Sequence, residues 1–303
     1  MKAPSKNYPR PFQRHAFTLT ELLVVLSVVG IVGTIAINAL QSAARAKVES
    51  VQCINNHKQL IAVALLYSDE FNGLWFPNQT GDTDWVNNQM SFSPANSDNT
   101  NTLKLLNPQF SKFAPYINGD PKLFHCPSDH SYILGSIPIG YRVRSVAANA
   151  AVGTVWTATG CLVPNGPVNA EWLTGNNIGT GCQTTWSCYA KTSDFVLPGP
   201  GMTWIFTDDH PDDIAGAQLP VQAAQSGIGA SFIGMPGNYH DRSAPFAYAD
   251  GHTEMHRWTG PILGENIIYW SGPPGGRTGI YTVQTAADNN DLIWLQKRTS
   301  AHR

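Results

Sequence analysis

The chain has 303 residues, a formal charge of −2 and an isoelectric point near 6.5, with only 13% of residues charged, about half the usual share. Past the first fifteen residues no basic stripe occurs, which leaves nucleic-acid binding without electrostatic support. Five cysteines without a Cys-x-x-Cys pair exclude zinc-finger spacing, and nine tryptophans, 27 glycines and 21 prolines point to a loop-rich β domain.

Residues 1–16 carry Lys2, Lys6, Arg10 and Arg14 and no acid, a basic leader of the kind that stays on the cytoplasmic side of a membrane. Leu22 to Leu40 is apolar almost throughout, roughly 28 Å of helix against a hydrocarbon core of about 30 Å. Three readings fit this region. A cleaved secretory signal needs an apolar run of only about 7–15 residues; this one is longer, although Ala44-Arg45-Ala46 imitates a cleavage site. A plain single-pass anchor fits the length but gives Glu21 no role beyond sitting at headgroup level. A central membrane acid costs roughly 2.5–3.5 kcal/mol on insertion scales.

The third reading uses the whole string. AFTLTELLVVLSVVGIVG, from Ala16 to Gly33, follows the basic leader directly and resembles the type III signal of type IV pilins and type II secretion pseudopilins. The resemblance implies cleavage by a prepilin peptidase between Ala16 and Phe17, with methylation of the new N-terminus at Phe17. It makes Glu21 the fifth mature residue, the acid that meets the free amine of a neighbouring subunit during assembly. Ala16 stands where the family usually has Gly. The implied partners are the peptidase, other pilin or pseudopilin subunits and the lipid bilayer, with no nucleic acid. The implied location is the bacterial cytoplasmic membrane, crossed once, with the head in the periplasm or outside the cell.

After Ser42 the pattern becomes amphipathic. Val48, Val51, Ile54, Ile61 and Leu65 fall near helical spacing, with Lys47, Glu49, Asn55 and Gln59 between them, and no Pro or Gly intervenes before Gly73. The expected domains are the leader at 1–16, an assembly helix at 17–67 and a globular head at 68–303. The expected fold is α+β, with the second half of the long helix packed on a small antiparallel sheet with long loops. Residues 76–102, rich in Asn, Ser, Thr and Asp, read as a surface loop. Residues 103–117 read as a short helix, 140–150 and 202–207 as strands, 152–193 as a Gly/Thr/Asn-rich insertion, 260–279 as turns, and 288–296 as a final strand or helix.

Three segments carry a second resemblance. They are CINNHKQLIAVALLYSDEFNGLWFP (Cys53–Pro77), LFHCPSD (Leu123–Asp129), and His240 followed by nine residues and Asp250-Gly251. Together they resemble a pilin-like family of environmental bacteria marked by a C-terminal His-x9-Asp-Gly element. That family brings no established head chemistry. The function expected is therefore a structural, non-enzymatic subunit of a pilus-like or pseudopilus filament. The alternatives are a membrane-anchored extracytoplasmic metal-dependent hydrolase or ligand-binding protein, and an adhesive head.

Two clusters in the head are candidates for chemistry. FTDDHPDD (Phe206–Asp213) follows an apolar strand. Asp208, Asp209 and His210 are its candidate ligands for Ca²⁺ or another divalent cation, against a solvated turn built by Asp and Pro. A set of Asp208, His210 and His240 is a further metal candidate. APFAYADGHTEMHRW reads as a hairpin turning on Asp250-Gly251, pairing Ala249 with His252, Tyr248 with Thr253, Ala247 with Glu254 and Phe246 with Met255. That register puts His252, Glu254 and His256 on a solvated face. His240 is expected far from Asp250 along the strand and bonded to backbone or to the Asp208–Asp213 loop. Should the head be exported, disulfides are open to it: one among Cys161, Cys182 and Cys188, another between Cys53 and Cys126. No Gly-x-Ser-x-Gly, Walker or His-Glu-x-x-His motif occurs.

Overall fold

The computed structural model describes residues 18–79, 84–87, 89–91, 93, 95–133, 140–155, 162–175, 183–265, 267 and 281–303. Ala16, Phe17, Cys161, Cys182 and most of the turn-rich 260–279 segment lie outside the described residues. The chain divides into two units, Met1–Lys47 and Val48–Arg303.

The first helix, α1, runs from Leu19 to Glu70, 52 residues, or ~78 Å at 1.5 Å per residue. In the first unit its surface is exposed along the whole apolar run, including Leu22, Val25, Ile31, Ile35 and Leu40. In the second unit its buried face is formed by Cys53, Asn56, His57, Leu60, Ile61, Val63, Ala64, Tyr67 and Ser68. This corrects the expected stripe: Val48 and Val51 are exposed, and Cys53, Asn56, His57 and Ser68 put thiol and polar groups on the buried face.

The remaining helices are α2 (Leu103–Leu106) and α3 (Ala286–Thr299). The strands are β1 (Tyr132–Ile133), β2 (Gly140–Tyr141), β3 (Val146–Asn149), β4 (Trp204–Asp208), β5 (Gln218–Leu219), β6 (Ser231–Phe232), β7 (Ser243–Tyr248), β8 (Thr253–Arg257) and β9 (Tyr281–Thr282). The expected strand at 140–150 is two, split by a segment in which Arg142 and Arg144 are buried. The expected helix at 103–117 contracts to α2 and a 3₁₀ turn at Ala114–Tyr116. The C-terminal element is a helix, capped by Thr285 and Asp288 bonding reciprocally.

The main sheet has the order β5-β3-β4-β7-β8. It is mixed, because β5 runs parallel to β3 while the other pairs are antiparallel. Side chains alternate across it. Val146, Ala148, Phe206, Ala247 and Ala249 share one core with Leu60, Ile61, Ala64 and Tyr67 of α1. Ala147, Trp204, Ala244, Phe246 and Tyr248 share another with Leu292 and Leu295 of α3. The head is therefore three layers, with β3, β4 and β7 buried on both faces and the edge strand β8 partly exposed.

The 76–102 segment, with Trp75 just before it, is not the surface loop its polar composition predicts. Trp75, Phe76 and Trp85 are fully buried, and Phe76 stacks on Phe206 at 5.4 Å and meets Phe113 edge-on at 5.2 Å. The 152–193 segment is also part of the core: Val152 pairs with Tyr189 and Thr154 with Pro167, and Val152 and Tyr189 are fully buried. Their aromatic and β-branched residues outweigh the Asn, Ser and Thr around them, since one ring buries 150–250 Å².

The hairpin register differs by one residue from the expectation. Phe246 faces Glu254, Ala247 faces Thr253, Pro245 faces Met255 and Ala244 faces His256. The loop is Ala249-Asp250-Gly251, closed by the Gly251 amide donating to Tyr248 O (2.9 Å) and by Gly251 at φ +92°. This is a three-residue turn with its glycine in the left-handed position. A one-residue slip exchanges faces. His252, Glu254 and His256 thus join Phe246 and Tyr248 on the α3 side, where His256 stacks on Trp294 at 3.5 Å and the Tyr248 hydroxyl bonds Glu254.

Candidate functional site

The start of α1 holds the first site. Thr18 and Glu21 form a reciprocal cap: the Thr18 amide and hydroxyl each donate to Glu21 Oε2 (both 2.8 Å), and the Glu21 amide donates to Thr18 Oγ1 (3.2 Å). The Thr-x-x-Glu spacing of a capping box was present in the sequence beneath the pilin-like string, so the acid has a local partner as well as any it meets in another chain. Both residues are exposed, and the side chains of the apolar run that follows are exposed as well.

The second site lies in the head, where four distant segments converge. α1 brings Cys53 and His57 to its buried face, four residues apart. The Cys126-Pro127-Ser128-Asp129 segment is a β-turn closed by the Asp129 amide donating to Cys126 O (2.9 Å), with Pro127 at its second position. The C-terminal end of β4 supplies Asp208. The turn before β7 supplies His240, followed by Asp241 and Arg242 at φ +50° and +60°, two left-handed residues in succession that hold a tight turn at a conformational cost.

Cys53 Sγ donates to Asp208 Oδ2 at 3.0 Å, and the other carboxylate oxygen accepts from Ser145 Oγ at 2.7 Å. Ser145 Oγ in turn accepts from the Cys126 amide (2.8 Å). Cys126 Sγ lies 3.2 Å from His240 Nε2, and His240 Nδ1 lies 3.5 Å from Ser128 Oγ. His57 Nδ1 is engaged by Cys53 O at 3.1 Å and stands 4.0 Å from Cys53 Sγ. Cys53, His57 and Asp208 are fully buried and Cys126 is 1% exposed; His240, half-buried, closes the outer edge. The three ligand atoms of Cys53, Cys126 and His240 lie within 4.8 Å of one another, as do those of Cys53, His57 and Asp208.

Burial pushes the Cys53 thiol well above its usual range, with Cys126 and Asp208 beside it adding to the shift, and burial raises Cys126 to about 11. Burial lowers His240, opposed by the Asp208 charge. All three shifts favour the uncharged forms. Cys53 and Cys126 are neighbours as expected, but as free thiols; Cys188 is free as well.

The Asp208–Asp213 loop is buried throughout, which overturns the solvated turn. Of its three expected metal ligands, Asp208 joins the cysteine cluster, and Asp209 and His210 do not. Successive residues of an extended strand point to opposite sides, and Asp209 instead has the buried Arg144 charge near it. The set of Asp208, His210 and His240 is reduced in the same way to Asp208 and His240. His240 is met by the Cys-Pro-Ser turn rather than by the acidic loop, while Asp250 bonds His252 Nδ1 at 2.6 Å.

No curated protein and no solved structure matches the chain. Residues 12–37 match the model of the prokaryotic N-terminal methylation motif, and this motif, with the exposed apolar helix that it opens, supports a membrane-anchored chain of prepilin type.

Proposed function

We propose that the chain is a structural subunit of a type IV pilus-like or type II secretion pseudopilus filament. A prepilin peptidase cuts between Ala16 and Phe17 and methylates Phe17. The first half of α1 then spans the bacterial cytoplasmic membrane, with the head on its outer side. The observation that carries this reading is the methylation motif at residues 12–37.

The exposed side chains of α1 add physical support. An apolar helix without a covering surface must meet lipid or other helices, and packing with sister helices gives it one. Glu21 at its head costs least when an opposite charge satisfies it, and the amine freed at Phe17 supplies that charge from a neighbouring chain. Mass spectrometry of the protein from its own cells tests the reading: the expected N-terminus is N-methyl-Phe17. A chain that still begins at Met1, or that starts after Ala46, overturns it.

A further inference from the structure

We propose that Cys53, Cys126, His240 and Asp208 form a tetrahedral site for a thiophilic divalent cation, with Zn²⁺ as its natural occupant, clamping the head from the inside. This site takes only Asp208 from the acidic loop and does not depend on the filament reading.

The donor set is the first argument. Two thiols, one imidazole and one carboxylate are borderline-soft ligands that suit zinc and not the all-oxygen shell of calcium. The spacing is the second. Zinc–ligand bonds of about 2.0–2.3 Å set tetrahedral edges of roughly 3.5 Å. Cys53, Cys126 and His240 already hold their ligand atoms within 4.8 Å of one another, with Cys126 Sγ 3.2 Å from His240 Nε2; Asp208 Oδ2, 3.0 Å from Cys53 Sγ in its own group with Cys53 and His57, has to turn inward to supply the fourth ligand. The third is charge. Asp208 is a fully buried carboxylate that accepts only from a thiol and a hydroxyl, and no described residue makes an ion pair with it. Such a group calls for a cation or a proton.

The same contacts argue against a resident disulfide. Oxidation would remove the Cys53 hydrogen that Asp208 accepts, leaving a buried carboxylate oxygen against a sulfur with nothing to donate. Metal binding satisfies all four groups at once. Each thiol gives its proton to solvent, each sulfur bonds the ion through a lone pair, and no electron is transferred. Ser128 steadies His240 through Nδ1, the outer-shell contact that fixes which nitrogen faces the metal, and itself donates to Glu49 at 2.9 Å. His57 is not counted in the set, because it groups with Cys53 and Asp208 and not with Cys126 and His240; its Nδ1 is engaged by the Cys53 carbonyl.

The test is metal analysis of the full-length chain in detergent, as isolated and after reduction, chelation and exposure to Zn²⁺ alone. The expected result is one tightly held zinc per chain, with Cys53 and Cys126 shielded from thiol reagents. Exchange for Co²⁺ is expected to give the visible absorption of tetrahedral thiolate coordination. Chelation is expected to lower Tm by on the order of 10 °C, as for a ligand that binds only the folded state. Cys126→Ser and His240→Ala are each expected to weaken zinc binding by ~10-fold or more. His240 is half-buried, so His240→Ala keeps its circular dichroism and separates loss of metal from loss of fold. A reduced, folded chain that holds no zinc overturns the proposal. So does zinc held equally well by both variants, or a Cys53–Cys126 disulfide in the protein isolated from its own cells.

Discussion

Asp213 accepts the Met235 amide at 2.9 Å, yet burial lifts its carboxyl to about 7. Asp209 is raised as well, by burial and then by Asp213, with Arg144 opposing. A carboxyl raised on folding binds a proton that the unfolded chain has already released. Its stabilising effect is full below about pH 4, the unfolded value, and is lost as pH climbs through about 7. Asp213→Asn removes that titration. The difference in Tm between variant and wild type, followed by tryptophan fluorescence, is expected to shift in favour of the variant from pH 5 to pH 8, by an amount equivalent to a few kcal/mol at most. Glu21 allows a finer dissection. Glu21→Gln keeps a side chain able to complete the capping box but removes the charge; Glu21→Ala removes both. If charge drives assembly, both variants insert in the membrane and both fail to enter filaments, as scored by fractionation of sheared filaments. Normal incorporation of the Gln variant would show that capping, not charge, is what assembly needs. Neither the cap nor the buried acids were drawn from the sequence reading. The cap was legible as Thr18-x-x-Glu21. The burial was not, because local composition reports polarity and not which loop folds over it.

At the scale of elements, the β7–β8 hairpin depends on Gly251. Its φ of +92° suits only glycine, and a Cβ there would stand 3.2 Å from Leu65 Cδ1 of α1. Gly251→Ala is expected to cost about 1–2 kcal/mol, read as a fall in Tm with an unchanged folded spectrum. Asp250-Gly251 announced a turn, and the turn is there. What the pattern left open was loop length: two and three residues use the same dipeptide, and the choice decides whether His256 meets solvent or Trp294. The long helix was the most legible element, since its apolar run and, after Ser42, the absence of Pro and Gly up to Gly73 leave little else open. Its inner face was misread because Cys53, Asn56 and His57 do not register as apolar in a periodicity count. Asn56, for one, is buried because its amide donates to Lys122 O (3.0 Å) and His125 O (3.2 Å). The cysteine cluster was legible only in pairs, Cys53 with Cys126 and Asp208 with His240; its assembly was not, because its members come from four separate segments.

At the scale of the whole molecule, the continuous run of exposed apolar side chains lies in the first unit and the buried cores in the second, whose exposed hydrophobics are scattered. A chain beginning at Val48 is therefore expected to be soluble and monomeric without detergent by size exclusion, with the near-ultraviolet signature of its packed tryptophans. The full chain is expected to need detergent or lipid; precipitation or oligomerisation of the shorter chain would show that the first unit covers part of the head.

The convergence of four segments on one cluster also sets an order of events during synthesis. Roughly 190 residues separate Cys53 from His240, and at about 5–20 residues per second the ribosome takes roughly 10–40 s to make them. Throughout that interval the earliest thiol waits without the imidazole that will close over its neighbour. A newborn chain is then at its most vulnerable to oxidants, so a cell that makes this protein gains from delivering the ion, or a reductant, before translation ends.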